Sequence, residues 1–109
     1  LIGVSRAKEL LYTGRIIDAK EALSIGLVNK VVPHSQLMKE SIKIAEIIAE
    51  KSSIALQTMK LVVNRGIDVD LPTALEYEKV CFSFCFSTED GKEGMEAFIE
   101  KRKPKFIGR

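Results

Sequence analysis

Apolar residues recur along the chain at intervals of three and four, broken by glycine, proline and small polar residues, and the pattern predicts one helix after another. Ser5 is placed to cap a first helix through about Thr13, with Ala7, Leu10 and Leu11 on its apolar side and Gly14 ending it. Asp18 caps "AKEALSIG", with Ala19, Ala22 and Leu23 facing inward and Gly26 as a left-handed stop. "LVNKVVP" comes next. Its valines lie between Gly26 and Pro33, which predicts a short strand or extended segment.

Ser35 opens a long helix to about Lys51, with Met38, Ile42, Ala45, Ile48 and Ala49 at helical spacing. Ile44 and Ile47 widen that stripe, so two of its faces should be covered by protein. A further helix spans about Ile54 to Asn64, closed by Gly66, and another runs from Leu71 to Phe86 with Pro72 in its first turn. The latter ends in "VCFSFCF", which is apolar nearly all round. Thr88 caps the last helix. Glu89 and Asp90 lie at its positive end, Lys101, Arg102 and Lys103 at its negative end, and Pro104 stops it.

An excess of apolar side chains on the third helix and at Phe82, Phe84 and Phe86 predicts surfaces that meet other protein. The alternative is a small, tightly packed bundle. No repeat, low-complexity stretch or Gly/Ser linker divides the chain, so one domain is expected. The chain opens on Leu1, already inside a helical pattern, which predicts a processed or truncated polypeptide.

Composition changes this picture little. Of 109 residues, 46% are hydrophobic and 29% charged, as in a soluble globular domain. No apolar run approaches the roughly 20 residues of a membrane span. Seventeen basic and fifteen acidic residues leave a formal charge of +2, so any basic patch is local and a nucleic-acid module is disfavoured. Cys81 and Cys85 lie four apart on a helix and read as reduced, core-type thiols of a cytoplasmic setting.

Residue chemistry offers no active site. His34 is the one histidine and lies in a loop; the two cysteines lack further metal ligands; no phosphate-binding glycine loop occurs. Glu76 and Glu78 point to different sides of a helix, whereas Glu76 and Lys79 are spaced as a surface ion pair.

The basic tail is different. Within the last helix Phe98 and Lys101 are three apart and share a side, one turn from each other, and a ring beside an ammonium suits a nucleotide. Two readings stay open at this point: such a seat, or a last turn that favours cations in any helix.

"SRAKELLYTGRIIDAKEALSIGLVNKVVP", followed later by "FSTEDGKEGMEAFIEKRKPKF", resembles the C-terminal third of the crotonase (enoyl-CoA hydratase/isomerase) superfamily over essentially the whole chain. The resemblance implies a mainly α fold with at most one short strand, the helical trimerisation region beside a ββα-spiral core. Residues 1–33 would end that core or connect to it, and 34–109 would form the helical bundle. It implies a lyase that reversibly adds water to trans-2-enoyl-CoA, most like a bacterial 3-hydroxybutyryl-CoA dehydratase. No cofactor is expected beyond the coenzyme A carried by the acyl-CoA substrate, and no membrane partner. A homo-oligomer, trimer or hexamer, is expected. The catalytic glutamates of the family would lie upstream of Leu1, so no catalytic residue is expected here and residues 1–109 alone should be inactive. Phe82 matches a position reaching a neighbouring subunit's acyl-CoA pocket, and Phe98 and Lys101 match contacts to the adenine and phosphate end of coenzyme A. Lys103 and Lys105 read as solvated charge, and Gly91 and Lys92 carry little information. Alternatives are an enoyl-CoA isomerase, an acyl-CoA hydrolase, or a stand-alone helical interaction module.

Overall fold

A computed structural model describes all residues from Leu1 to Arg109. The chain is helical with no strand: α1 (Val4–Thr13), α2 (Ala19–Ser24), a 3-10 turn at His34–Gln36, α3 (Leu37–Ala49), α4 (Ser53–Gly66), α5 (Leu71–Ser87) and α6 (Glu89–Ile99). It divides into two compact units, Leu1–Ile42 and Lys43–Arg109.

In the first unit, α1 begins one residue before Ser5. Gly3, at φ 81°, stands at the cap without any side-chain bond, so Ser5 lies inside the helix. Asp18 caps α2 as its sequence predicts, accepting from the Glu21 N–H at 2.7 Å. The segment after α2 joins no strand. Leu27 and Val28 donate their N–H groups to the Ala22 carbonyl, at 2.9 and 3.4 Å. A strand needs a neighbouring ladder for those donors, and here the end of α2 takes them.

In the second unit, α4 packs on α5 and α5 on α6. Side chains cap all three helices: Ser52 accepts from Ala55, Asp70 from Thr73, and Thr88 from Gly91. Gly66 does not break α4. It is the last helical residue, and Ile67 follows in right-handed conformation. α6 docks closely onto the end of α5. A Cβ at Gly91 would lie 2.2 Å from the Cys85 carbonyl oxygen and 3.0 Å from Phe86 Cα, so the contact requires glycine at a position where sequence reading finds little.

Two apolar residues are buried, Ala22 and Ala97. The third helix leaves Met38, Ile42, Ile44, Ile47 and Ile48 exposed, and α5 leaves Val80, Phe82, Phe84 and Phe86 exposed. The accessible area is 9130 Å². A self-contained folded monomer of this mass exposes roughly 6,000 Å². The apolar excess read from the sequence stands open on the surface.

Candidate functional site

The end of α6 is where charge, exposure and backbone strain coincide. Helical geometry stops at Ile99, not at Lys103. Glu100 caps the helix and Lys101 turns left-handed, at φ 55°, the one non-glycine residue with positive φ. Lys101 N–H then donates to the Phe98 carbonyl at 3.3 Å and Arg102 N–H to the Ala97 carbonyl at 3.0 Å. These two bonds are the Schellman pattern, which satisfies orphan carbonyls at a helix end and normally places glycine where Lys101 stands. An L-residue there costs about 1–2 kcal/mol. Phe98 and Lys101 consequently do not share a helix face; the lysine side chain leaves from a reversed backbone.

The reversal sends the tail back along α6, and two carboxylates hold it. Glu93 takes Arg102 in a two-pronged pair, Nη1 to Oε1 at 2.6 Å and Nη2 to Oε2 at 2.8 Å, and also accepts from Lys105 N–H at 2.6 Å. The Arg102 bonds, with the Lys105 N–H behind them, lower the Glu93 carboxyl from its ordinary 4.5 to about 2. Arg102 Nε adds a 2.5 Å bond to Glu100, and its guanidinium is held still more firmly protonated by Glu93 first and Glu100 second.

Asp90 is 2% exposed and accepts from the N–H groups of Ile107, at 2.7 Å, and Gly108. Burial alone would raise its pKa. Hydrogen bonds from Ser52, Ile107 and Gly108 outweigh burial and hold it below its ordinary value. Asp90 N–H in turn donates to the Arg109 carbonyl at 2.9 Å, and Arg109 pairs with Glu89 at 3.2 Å.

These pairings sort the basic cluster. Arg102 is committed to Glu93 and Glu100, Lys103 to Glu50 at 2.7 Å, and Arg109 to Glu89. Lys105 lies in the field of Glu93. The Lys101 ammonium makes no ion pair or hydrogen bond; that of Lys105 makes none either, but the Lys105 backbone N–H is held by Glu93. Lys103, read from sequence as solvated charge, is thus an ion-pair partner, though an exposed one.

Phe98, 85% exposed, forms with Phe86, Met95 and Phe106 the apolar walls of a groove of about 370 Å³ inside the second unit. Phe82 is 62% exposed and does not line it. Its ring stacks at 4.5 Å, tilted by 46°, on Phe86, which does. The structure therefore brings Phe98 to the groove and links Phe82 to it through one ring. Both cysteines are free and half-buried, and Cys85 lines the same groove. Sequence reading places Asp90 only at the positive end of α6 and passes over Glu93, because the tail groups they hold lie nine to eighteen residues downstream, close only once the chain turns back at Lys101.

Comparison with known proteins decides what this arrangement belongs to. The sequence model of enoyl-CoA hydratase/isomerase matches residues 1–109. The chain belongs to the enoyl-CoA hydratase/isomerase family. Among its relatives, the short-chain-enoyl-CoA hydratase of Clostridium acetobutylicum is 50% identical over 103 residues, 94% of this chain and 40% of the relative. The crotonyl-CoA hydratase of Syntrophomonas wolfei is 47% identical over 109 residues, all of this chain and 42% of the relative. The crystal structure of an enoyl-CoA hydratase from Bacillus anthracis superposes with a TM-score of 0.95 at 49% identity, covering all of this chain and 42% of that one. The chain thus spans about two fifths of the curated hydratases it matches. Its helices and reversed tail are those of an enoyl-CoA hydratase/isomerase helical region, and no helix is long and apolar enough to cross a membrane.

Proposed function

We propose that these residues form the helical, oligomer-making and coenzyme-A-contacting part of a hydratase that adds water to short trans-2-enoyl-CoA thioesters. One observation carries the reading: a lysine with no partner sits in a strained turn three residues after an exposed phenylalanine, while Arg102, Lys103 and Arg109 are engaged in ion pairs. Phe98 offers a flat apolar surface to the adenine, and Lys101 offers an uncommitted charge to a phosphate. Phe82, on the open face of α5, reaches the acyl-CoA pocket of a neighbouring subunit in a homo-oligomer, trimer or hexamer. The uncovered apolar surfaces of α3 and α5 support that association. The names of the Clostridium and Syntrophomonas relatives support the short-chain substrate. The free, half-buried thiols support a reducing cytoplasm. No cofactor is required.

Lys101 lies at the coenzyme end in this reading, remote from the double bond, so it binds ground state and transition state alike. Such an interaction lowers KM and leaves kcat alone. Following the loss of enoyl-thioester absorbance of crotonyl-CoA with the full chain, the longer hydratase to which this reading assigns residues 1–109, Lys101→Met raises KM about tenfold with kcat within about twofold. An unchanged KM would remove Lys101 from the substrate site. Residues 1–109 alone show no turnover, and turnover above background would place catalytic groups within them.

A further inference from the structure

We infer that Glu93 is a positioning residue: its two-pronged hold on Arg102 fixes the left-handed turn at Lys101 and so aims that lysine's ammonium at the anionic end of its ligand. The inference rests on the reading of Lys101 as a coenzyme A contact and adds how the contact is prepared.

A lysine on a continuous helix would sweep a wide arc about a flexible stem. In a left-handed residue between two Schellman bonds, the backbone from which the stem leaves is set. Strained backbone persists only where its surroundings over-determine it. The Schellman bonds leave the next residue, Arg102, pointing back along α6, and Glu93 receives its guanidinium with both oxygens, at 2.6 and 2.8 Å. The same carboxylate takes Lys105 N–H, so it holds the tail on both sides of Pro104. A charge consequence follows. Glu93 and Glu100 are the carboxylates bonded to Arg102, and with Arg102 satisfying them they do not draw the Lys101 ammonium away from a phosphate. The fork matters as well as the charge, since a lysine at position 102 could not meet both oxygens in one plane.

The test is a binding cycle with coenzyme A as the probe, read by calorimetry on the full chain, with Glu93→Gln, Lys101→Met and the double variant. Glu93→Gln keeps an oxygen for Lys105 N–H and loses the charged fork. It weakens binding about five- to tenfold in the parent, and by less than about twofold once Lys101 is already Met. Arg102→Lys, which keeps the charge and loses the fork, gives a smaller loss with the same dependence on Lys101, and it serves if Glu93→Gln does not fold. Equal losses in both backgrounds would mean general loosening of the groove around Phe98, and no loss would mean no coupling; either outcome overturns the positioning role and leaves Lys101 as a contact. If Lys101→Met binds coenzyme A as tightly as the parent, the contact itself is wrong and the inference falls with it.

Discussion

The ends of α2 and α6 use the same hydrogen bonds to opposite purposes. After α2, Gly26 N–H donates to Leu23 and Leu27 N–H to Ala22; after α6, Lys101 donates to Phe98 and Arg102 to Ala97. The spacing is identical, and the reversing residue is left-handed in both, at φ 77° and 55°. Glycine takes that conformation freely, and Gly26 has nothing within 4 Å of where a Cβ would lie. Lysine does not, and its turn is surrounded by Glu93, Glu100 and Asp90 holding the chain on either side. A helix that merely has to stop uses glycine and no support. One that stops on a strained cation needs a built surround, and that difference supports the proposed role of the second end.

The largest expected effect tests whether that surround depends on how α6 is seated. Gly91→Ala drives a methyl group into the Cys85 carbonyl, 2.2 Å away on rigid backbone, so α6 must move off α5 and carry Asp90 with it. A loss of about 3 kcal/mol or more is expected, read as a fall in thermal or denaturant midpoint of the full chain. The two glycines thereby separate: Gly26 is glycine for its dihedral angles, Gly91 for its lack of volume. A near-neutral Gly91→Ala would show that the helices slide freely and that the seat is not what aims the tail.

Exchanging the two reversing residues comes next in size. Gly26→Lys installs the strain at an unsupported end and costs about 1–2 kcal/mol. Lys101→Gly relieves it and gains about 1 kcal/mol, the greater unfolded-state freedom of glycine offsetting the rest. Opposite signs are the content of this prediction, measured as denaturant midpoints at unchanged slope. If Lys101→Gly destabilises, the lysine stem contributes packing that outweighs its strain, and the argument from strain to function loses its premise.

How much of this was legible in the sequence follows the range of the interactions. Caps at Asp18, Asp70 and Thr88 act over three residues; Asp18 and Thr88 are read directly, as is the Glu76–Lys79 pair at 3.6 Å. The family signature in "EGMEAFIEKR" was visible too, and Phe98 and Lys101 were singled out by it. The end of α6 was not. Nothing about "IEKRK" announces a left-handed lysine, because the turn is held through Arg102 by Glu93, nine residues before that arginine, and by Asp90 farther still. Propensity for "LVNKVVP" favours a strand, and the absence of a partner strand overrides it. The isoleucines of α3 were read as needing cover, and they are exposed in this chain.

The smallest effect concerns acid. Glu93 is lowered from 4.5 to about 2 by Arg102 and Lys105, and Asp90 is lowered as well, by Ser52, Ile107 and Gly108 against the opposing pull of burial. A depressed carboxyl stabilises the fold above its unfolded pKa and loses that contribution as pH falls through the folded value. For Glu93 the window therefore runs from about pH 5 down to about pH 2, and the tail's support weakens across it. Glu50, lowered by Lys103, acts in the same direction on the same segment. The reversal after α2 rests on glycine and on carbonyl acceptors that do not titrate, and the nearest lowered carboxyl, Glu21 held by Arg15, does not bond the reversing amides. Amide hydrogen exchange separates the two ends in one experiment. Between pH 6 and pH 3, after correction for intrinsic exchange, protection of the Arg102 N–H drops about tenfold more than that of the Leu27 N–H. In Glu93→Gln the contrast shrinks, because the group that titrates is gone while the Schellman bonds remain. Parallel loss at both amides would mean that acid opens the whole chain cooperatively, and the carboxylate hold on the tail would then carry no stability of its own.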